Sequence, residues 1–200
     1  MLNGYGAISL NKTAIQQLNR ASEDIMNHLG SGTDNTTILV QKPVGSQASS
    51  TFALLTTNYR LSNHVPWSTT IYYDVVNSTT GRLAATSPAG MLNNWHIVVL
   101  RRSGANMVVR VDGKVINSKT NASGTATSQS STLFIGAYDD VGGGNFNGLF
   151  AEICNIPSAM SDADIEDIED IEDYLAAKYG LLTQSDSSNS SSSSSTDGAG

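Results

Sequence analysis

The stretch from residue 36 to residue 153 constrains the fold of this chain most strongly. It consists of short runs rich in β-branched and aromatic residues, and clusters of Gly, Asn, Ser and Pro separate these runs. This pattern is typical of an all-β fold. Several runs are continuously apolar, which favours strands buried on both faces or sheets packed together. The pattern predicts strands at residues 37–41, 51–57, 70–75, 81–85, 95–101, 107–111, 114–116, 132–137 and 148–156.

Two turns connect the predicted strands between residues 95 and 116. Residues 102–105, with the sequence Arg-Ser-Gly-Ala, separate two Val-rich runs. Asp112 and Gly113 form a strong two-residue hairpin signal, because both residue types tolerate a positive φ angle. Together the turns predict a three-stranded antiparallel meander over residues 95–116.

The amino-terminal part of the chain carries a helical pattern. Thr13 and Gln16 have the spacing of a capping box, in which each side chain satisfies a free backbone amide. Apolar or small residues then recur at steps of three and four, namely Ile15, Leu18, Ser22, Ile25 and Leu29. Gly30 suits the left-handed conformation that ends many helices. We therefore predict a helix over residues 14–29, with a narrow apolar stripe.

A second helical pattern lies in the acid-rich residues 162–180. At about 100° per residue, most of the carboxylates fall outside one apolar face, and Glu172 falls just inside its border. Lys178 complements the negative end of the helix dipole, and Gly180 suits the helix end. We predict a helix that caps a sheet and keeps its acids in solvent. Its apolar face consists of Ile165, Ile168, Ile171, Leu175 and Tyr179.

Catalysis is the alternative interpretation of these acids. A retaining glycosidase needs two carboxyl groups about 5–5.5 Å apart on rigid elements. On a jelly-roll glucanase they would stand at alternating strand positions, Glu-x-Asp-x-(x)-Glu, and no predicted strand of this sequence contains that pattern. The acids are spaced Glu-Asp-Ile-Glu in a helical segment. The sequence thus favours a solvated helix face and predicts no enzyme activity.

The composition limits the partners of the chain. Only 14% of the residues are charged and the net charge is −7, so Lys and Arg do not cluster as phosphate backbones or anionic membranes require. No run approaches the roughly 18 apolar residues of a membrane span. The first residues also lack the pattern of an export signal. We expect neither nucleic acid nor a membrane as partner.

The domain organisation follows from a change in composition near residue 182. Residues 1–182 have the pattern of one folded domain, and residues 183–200 form a Ser-rich segment with too little apolar surface to fold. We predict that this segment is a flexible tail. Cys154, the single cysteine, lies in an apolar strand-like run, which predicts a buried small hydrophobe.

Aromatic residues in the middle of the chain suggest a glycan-binding site. Trp67 lies in a predicted loop, residues 63–68, together with His64, and Tyr72 and Tyr73 follow. An exposed indole stacks well on a sugar ring, because both present flat apolar faces. The alternative is that Trp67 plugs the edge of the sheet.

A second candidate site surrounds a run of three glycines. Asp139, Asp140, Asn145 and Asn147 offer oxygen ligands of the type that calcium prefers. Ordinary hairpin chemistry explains the same residues. The sequence therefore predicts no cofactor, with calcium as the one candidate. The three histidines show no metal-ligand spacing.

Several segments, taken in order, resemble the concanavalin A-like, laminin-G-like jelly rolls, especially those common in phage and bacterial surface proteins. The likeness extends over about residues 3–182 and implies a two-sheet antiparallel jelly-roll sandwich, to which the helical patterns add an amino-terminal and a carboxy-terminal capping helix. Members of this family often bind calcium. The segments that carry the likeness are residues 93–101, 107–114, 133–137 and 146–153 and the closing helix, residues 160–180.

The resemblance implies a non-catalytic surface module of a phage virion, which decorates a capsid or tail, with host glycans as candidate ligands. A virion surface protein assembles in the host cytoplasm, which agrees with the missing export signal. Residues 2–10 resemble a strand that the family normally precedes with further sheet-forming residues. An uncovered sheet edge is a pairing site, so we expect other virion proteins or copies of this chain to bind there. The alternatives are a glycan-cleaving enzyme on the same fold and a structural cement protein without a ligand.

Overall fold

The computed structural model describes residues 2–14, 16–45, 48–139, 144–160 and 165–181, and for residues 165–167 it describes the backbone alone. These residues form two six-stranded antiparallel sheets and one α-helix. The first sheet contains, in spatial order, β1 (Ile8–Leu10), β12 (Gly148–Ile156), β3 (Asn35–Pro43), β8 (His96–Ser103), β9 (Asn106–Val111) and β10 (Lys114–Lys119). The second contains β2 (Leu18–Asp24), β11 (Ser130–Ile135), β4 (Phe52–Leu55), β5 (Arg60–Trp67), β6 (Thr70–Val76) and β7 (Arg82–Thr86). This architecture confirms the predicted two-sheet sandwich.

The main core lies between the two sheets. Successive strand residues point to opposite faces, so Leu39 of β3 and Leu100 of β8 meet Leu61 of β5 and Tyr73 of β6 inside the sandwich. All four side chains are fully buried. The outer face of the first sheet is apolar as well, which explains the continuously apolar runs in β3 and β8.

The helix α1 (Ile165–Tyr179) covers this outer face. The predicted apolar stripe is confirmed at Ile168, Leu175 and Tyr179, which are buried there, and at Ile171, which is partly buried. The side chain of Ile165 lies outside the described part of the chain. Burial of each large apolar side chain contributes about 1.5–3 kcal/mol, which is ample to dock a helix. The strand residues beneath α1 are Ile38, Val40, Ile97 and Val99.

One acid of α1 departs from the prediction of a wholly solvated acidic face. Glu172 is only 1% exposed, and Arg110 of β9 donates to its Oε2 atom from Nη2 at 2.8 Å and from Nε at 3.1 Å. Burial raises the pKa of Glu172, and the guanidinium opposes that rise. Glu169, in contrast, keeps 53% of its side chain exposed. Glu172, at the border of the apolar stripe, thus forms a buried ion pair with Arg110.

Both predicted hairpin turns are present. β8 and β9 pair from Ser103 and Asn106, with Gly104 at a φ of 54° in the turn. β9 and β10 are joined by Asp112 and Gly113, whose φ angles are 50° and 78°. The predicted meander is therefore confirmed.

The predicted amino-terminal helix, residues 14–29, is wrong. The chain forms a short 3-10 turn at Lys12–Ala14, then β2, and then a second 3-10 turn at Ile25–Asn27. Gln16 does accept from a backbone amide, but from that of Asn11 at 3.0 Å, and Asn11 rather than Thr13 provides the cap. Pairing of β2 with β11 satisfies the strand backbone, and it outweighs a helical stripe too narrow to bury much apolar surface.

Two further expectations are corrected. The predicted loop, residues 63–68, belongs mostly to β5, where the ladder to β6 is irregular between His64 and Trp67. Cys154 is exposed rather than buried. Its neighbour Ile153 packs against the core, so strand alternation turns Cys154 toward solvent.

No helix in the described ranges has the length and apolar character of a membrane span.

Candidate functional site

The outer face of the second sheet carries polar and aromatic side chains. Leu61 and Val65 of β5 point into the core together with Asn63, so the alternate residues Ser62 and His64 point outward. The register places His64 opposite Tyr72 and Ser62 opposite Asp74, which brings both pairs to the same face. The outward residues of β5, β6 and β7 at this place are Arg60, Ser62, His64, Tyr72, Asp74 and Arg82.

A cavity of about 450 Å³ lies on this face. It brings together three of the four residues predicted from the sequence to bind a glycan. The connection between β11 and β12 adds Tyr138 and Gly144 from one side. The lining residues are Arg60, His64, Trp67, Tyr72, Arg82, Tyr138 and Gly144.

Trp67 lies at the end of β5, where the hairpin to β6 turns through Ser68 at a φ of 55°. The indole packs edge-on against the His64 ring, with 5.1 Å between ring centroids. A Cβ atom on Gly144 would lie 3.5 Å from the indole, so this loop also approaches the ring closely. Trp67 nevertheless stays 39% exposed, which leaves part of its surface available to a ligand.

His64 forms the inner wall of the cavity. Its Nδ1 atom lies 3.0 Å from the Ser50 hydroxyl and 3.3 Å from the Ser49 carbonyl oxygen. Burial lowers the pKa of His64 to about 4, because the charged imidazolium would lose its hydration. The ring is therefore neutral at neutral pH and serves as an aromatic surface with one polar edge.

Asp74 lies beneath the cavity and organises two arginines. Its side chain is fully buried. Arg82 donates to both carboxylate oxygens, from Nε at 2.5 Å and from Nη2 at 2.7 Å. The Arg60 Nε atom lies 3.3 Å from the same carboxylate. The guanidinium carbons lie 4.7 Å from the Tyr72 ring centroid for Arg82 and 5.4 Å from that of Tyr138 for Arg60.

A second cavity of about 350 Å³ continues from the first, since Arg60 and Tyr138 line both. We call the two cavities together the cleft. The second part is more polar than the first, with hydroxyl and amide groups that can bond to sugar hydroxyls. These groups belong to Thr56, Thr57, Asn58, Tyr59, Asn77 and Ser78.

Tyr73, the fourth predicted glycan-binding residue, does not line the cleft. It points into the core, is fully buried, and donates from its hydroxyl to Asn35 Oδ1 at 2.8 Å. Burial raises the pKa of Tyr73, so the phenol stays protonated. Sequence reasoning missed Arg60, Arg82 and Tyr138. Alternation along β5 would have identified Arg60, but the assignment of residues 63–68 to a loop concealed that strand.

The predicted calcium ligands are placed only in part. Asp140 lies outside the described residues. The Asn147 amide donates to the Val44 carbonyl oxygen at 2.8 Å. Asn145 is buried, and its Oδ1 atom has no hydrogen-bond partner within the described ranges. Asp139 is described, and the described residues contain no group of three or more His, Cys, Asp or Glu side chains able to hold a metal. Calcium at this loop stays a prediction.

Comparison with known families identifies the fold. The model of the concanavalin A-like lectin/glucanases superfamily matches residues 27–166. A search of curated proteins finds no significant match.

Solved structures are similar over most of the chain. A native heptameric SAP-like pentraxin from Limulus polyphemus matches with a TM-score of 0.58 and 18% identity, over 82% of this chain and 81% of its own. Domain 4 of AbnA, a GH43 extracellular arabinanase from Geobacillus stearothermophilus, was solved with arabinotriose. It matches with a TM-score of 0.57 and 18% identity, over 82% of this chain and 76% of its own. The CBM40 of the Ruminococcus gnavus IT-sialidase, bound to α2,3-sialyllactose, matches with a TM-score of 0.56 and 11% identity, over 78% of this chain and 98% of its own.

Proposed function

The chain belongs to the concanavalin A-like lectin/glucanase superfamily, and we propose that within it this protein is a glycan-binding module. The ligand site is the cleft on the outer face of the second sheet. The observation that carries the proposal is the partly exposed Trp67 indole, held beside His64, Tyr72 and Tyr138 in one cavity. Aromatic walls with a few fixed polar groups are the usual composition of a small-molecule site.

The shape of the cleft supports a ligand of more than one sugar. The aromatic cavity offers stacking surfaces, and the polar cavity beyond Tyr138 offers hydroxyl and amide groups. Two of the similar structures, the arabinanase domain and the CBM40, were solved with oligosaccharides. This supports a carbohydrate as the ligand class on this fold.

We propose binding without cleavage. Glycoside hydrolysis requires two carboxyl groups on either side of the scissile bond. The described residues that line the cleft include no carboxylate, and Asp74 beneath them is fully buried and bonded to Arg82. The rival is a glycan-cleaving enzyme. A reducing-sugar assay on mixed polysaccharides, run with and without calcium, separates the two, because a binding module releases no reducing ends.

We also propose that the module lies on a virion surface and attaches there through its amino-terminal sheet edge. β1 is an edge strand of the first sheet, and β2 is an edge strand of the second. Tyr5, Ile8 and Leu18 are each close to half exposed at this edge, beside a largely apolar cavity of about 440 Å³. The partner would be another virion protein or a copy of this chain. Mass spectrometry of purified particles tests the location, and hydrogen exchange of residues 5–10 tests the edge.

Substitution of the exposed indole tests the glycan-binding proposal. Trp67→Ala removes the stacking surface, so affinity for any bound glycan should fall about tenfold or more. The matched control is Tyr174→Ala, which removes an exposed aromatic ring from α1 on the opposite side of the sandwich. Glycan-array binding followed by calorimetry checks both variants. A blank array for a protein that still binds assembled particles would instead favour the structural cement protein.

A further inference from the structure

The charges of the described residues at the cleft do not cancel. Among these residues, Arg60 and Arg82 face one carboxylate, that of Asp74, and His64 is neutral, so together they carry one surplus positive charge. Arg82 alone satisfies both oxygens of Asp74 through its Nε and Nη2 atoms. The buried acid therefore does not require a second guanidinium. In a chain with a net charge of −7, this surplus is a local exception.

The two arginines are also held in place with donors to spare. Each guanidinium uses its Nε–Nη2 edge within the protein, Arg82 on Asp74 and Arg60 on the Ser62 hydroxyl. The Nη1 group of each has no hydrogen-bond partner among the described residues. Both side chains line the cavity, with exposures of 18% for Arg60 and 32% for Arg82. Donors fixed in advance lose little conformational freedom on binding.

We infer that the cleft selects glycans that carry an anionic group, which binds at Arg60 and Arg82 while a neighbouring sugar face stacks on the aromatic wall. This inference rests on the proposed glycan-binding function and names the class of its ligand. A guanidinium is weakly hydrated and presents several N–H groups in one plane, so it suits carboxylate and sulfate oxygens. The anionic group is therefore a carboxylate, as in uronic or sialic acids, or a sulfate ester.

Pairs of ligands that differ in charge alone test this selectivity. Suitable pairs are trigalacturonic acid with its methyl ester, sialyllactose with lactose, and sulfated lactose with lactose. In at least one pair the wild-type protein should bind the anionic member about tenfold or more tightly than the neutral one, as expected for a hydrogen bond to a charged group. The preference should decrease as the salt concentration rises, because the Arg60 and Arg82 side chains are partly exposed to solvent, where salt screens their charge.

Two substitutions of opposite sign sharpen the test. Arg60→Gln removes the surplus charge and leaves Asp74 paired with Arg82, so the preference for the anionic ligand should fall about tenfold, while Arg60→Lys keeps the charge and serves as the matched control. Asp74→Asn keeps the shape of the side chain but frees both guanidiniums, and it should raise affinity for the anionic ligand. Circular dichroism confirms that each variant is folded. If Asp74→Asn does not fold, the salt dependence of the wild-type protein decides.

The outcomes separate this inference from the function on which it rests. Trp67-dependent binding that treats both members of every pair alike overturns the anionic selectivity and leaves glycan binding intact. An absence of Trp67-dependent binding to every ligand overturns both. Anionic preference that persists in Arg60→Gln also overturns the assignment, because the group that binds the anion would then lie elsewhere.

Discussion

Strand alternation gives the two adjacent tyrosines of β6 opposite roles. Tyr72 points outward and lies under the Arg82 guanidinium in the cleft. Tyr73 points inward and is fully buried, with its hydroxyl bonded to Asn35. One residue step therefore separates a position that lines the cleft from a position in the core.

Substitution of these two residues should separate stability from binding. Tyr73→Phe removes one of two donors to the buried Asn35 Oδ1 atom, and the Thr37 hydroxyl remains as the other. The free energy of unfolding should therefore fall by about 0.5–1.5 kcal/mol, with glycan affinity unchanged. Tyr72→Ala should weaken glycan binding with a smaller effect on stability. Urea unfolding and calorimetry with the bound glycan check the pair. Loss of binding in Tyr73→Phe at unchanged stability would contradict this division.

His64 should make the stability of the protein depend on pH. The pKa of His64 falls from 6.5 to about 4 on folding, so below about pH 6.5 the unfolded chain takes up a proton that the folded chain does not. Stability therefore decreases as pH falls toward about 4. From about pH 6.5 to about pH 5 the loss attributable to His64 should be roughly 1.5 kcal/mol.

Comparison with His64→Gln isolates the contribution of His64 from those of the other titratable groups. The free energy of unfolding of the variant should change less with pH over this interval than that of the wild-type protein. Urea unfolding at several pH values measures both. Parallel pH profiles for the two proteins would show that His64 is not buried in its neutral form.

At the level of elements, the sequence predicts those strands whose residue pattern follows from burial and nothing else. β3 and β8 are apolar on both faces, because the second sheet covers one face and α1 covers the other. Their continuous apolar runs are therefore recognisable as strands in the sequence. The Asp112–Gly113 hairpin was equally visible, since local turn chemistry fixes it. These features are encoded locally or by simple periodicity.

The errors have physical causes as well. β5 was misread because its outward positions hold the residues of the cleft, and Pro66 interrupts the strand pattern. The polar and aromatic residues of the proposed site thus obscure the strand pattern of β5. β2 was misread as a helix, because only its pairing with the distant β11 makes it a strand. Arg82 and Tyr138 could not be assigned to the site, since the three-dimensional arrangement alone brings them to β5.

The contact between α1 and β9 includes a buried ion pair, and removing one partner should cost more stability than removing both. Arg110→Met leaves Glu172 buried without its partner, which should cost about 3–5 kcal/mol of stability. The double variant Arg110→Met with Glu172→Leu should recover most of this loss, because it removes the uncompensated charge. Urea unfolding of the single and double variants measures the difference. A double variant at least as unstable as Arg110→Met would contradict the account.

At the scale of the whole molecule, the two sheets divide structure and function. The helix seals the outer face of the first sheet, whereas the outer face of the second sheet carries the cleft. The cleft and the capping helix therefore lie on opposite sides of one sandwich. Substitutions in α1 should affect stability, and those on the outer face of β5 and β6 should affect binding.

The predicted tail, residues 183–200, lies outside the described residues. Its Ser-rich composition predicts no contribution to folding. Removal of these residues should therefore leave both the melting temperature and glycan affinity unchanged. Thermal unfolding and calorimetry of the shortened chain check this. A markedly lower melting temperature would place part of this segment in the folded domain.

The central claim is that a glycan stacks on Trp67, and the two tryptophans of this chain allow a direct measurement. Trp67 lies in the cleft, while Trp95 is partly buried beside the cluster under α1. The indole N–H signals of ¹⁵N-labelled protein can be followed by NMR during titration with a glycan that binds. We predict that the Trp67 signal shifts to saturation while that of Trp95 stays in place. Saturable glycan binding that leaves the Trp67 signal unmoved would contradict the assignment of the cleft.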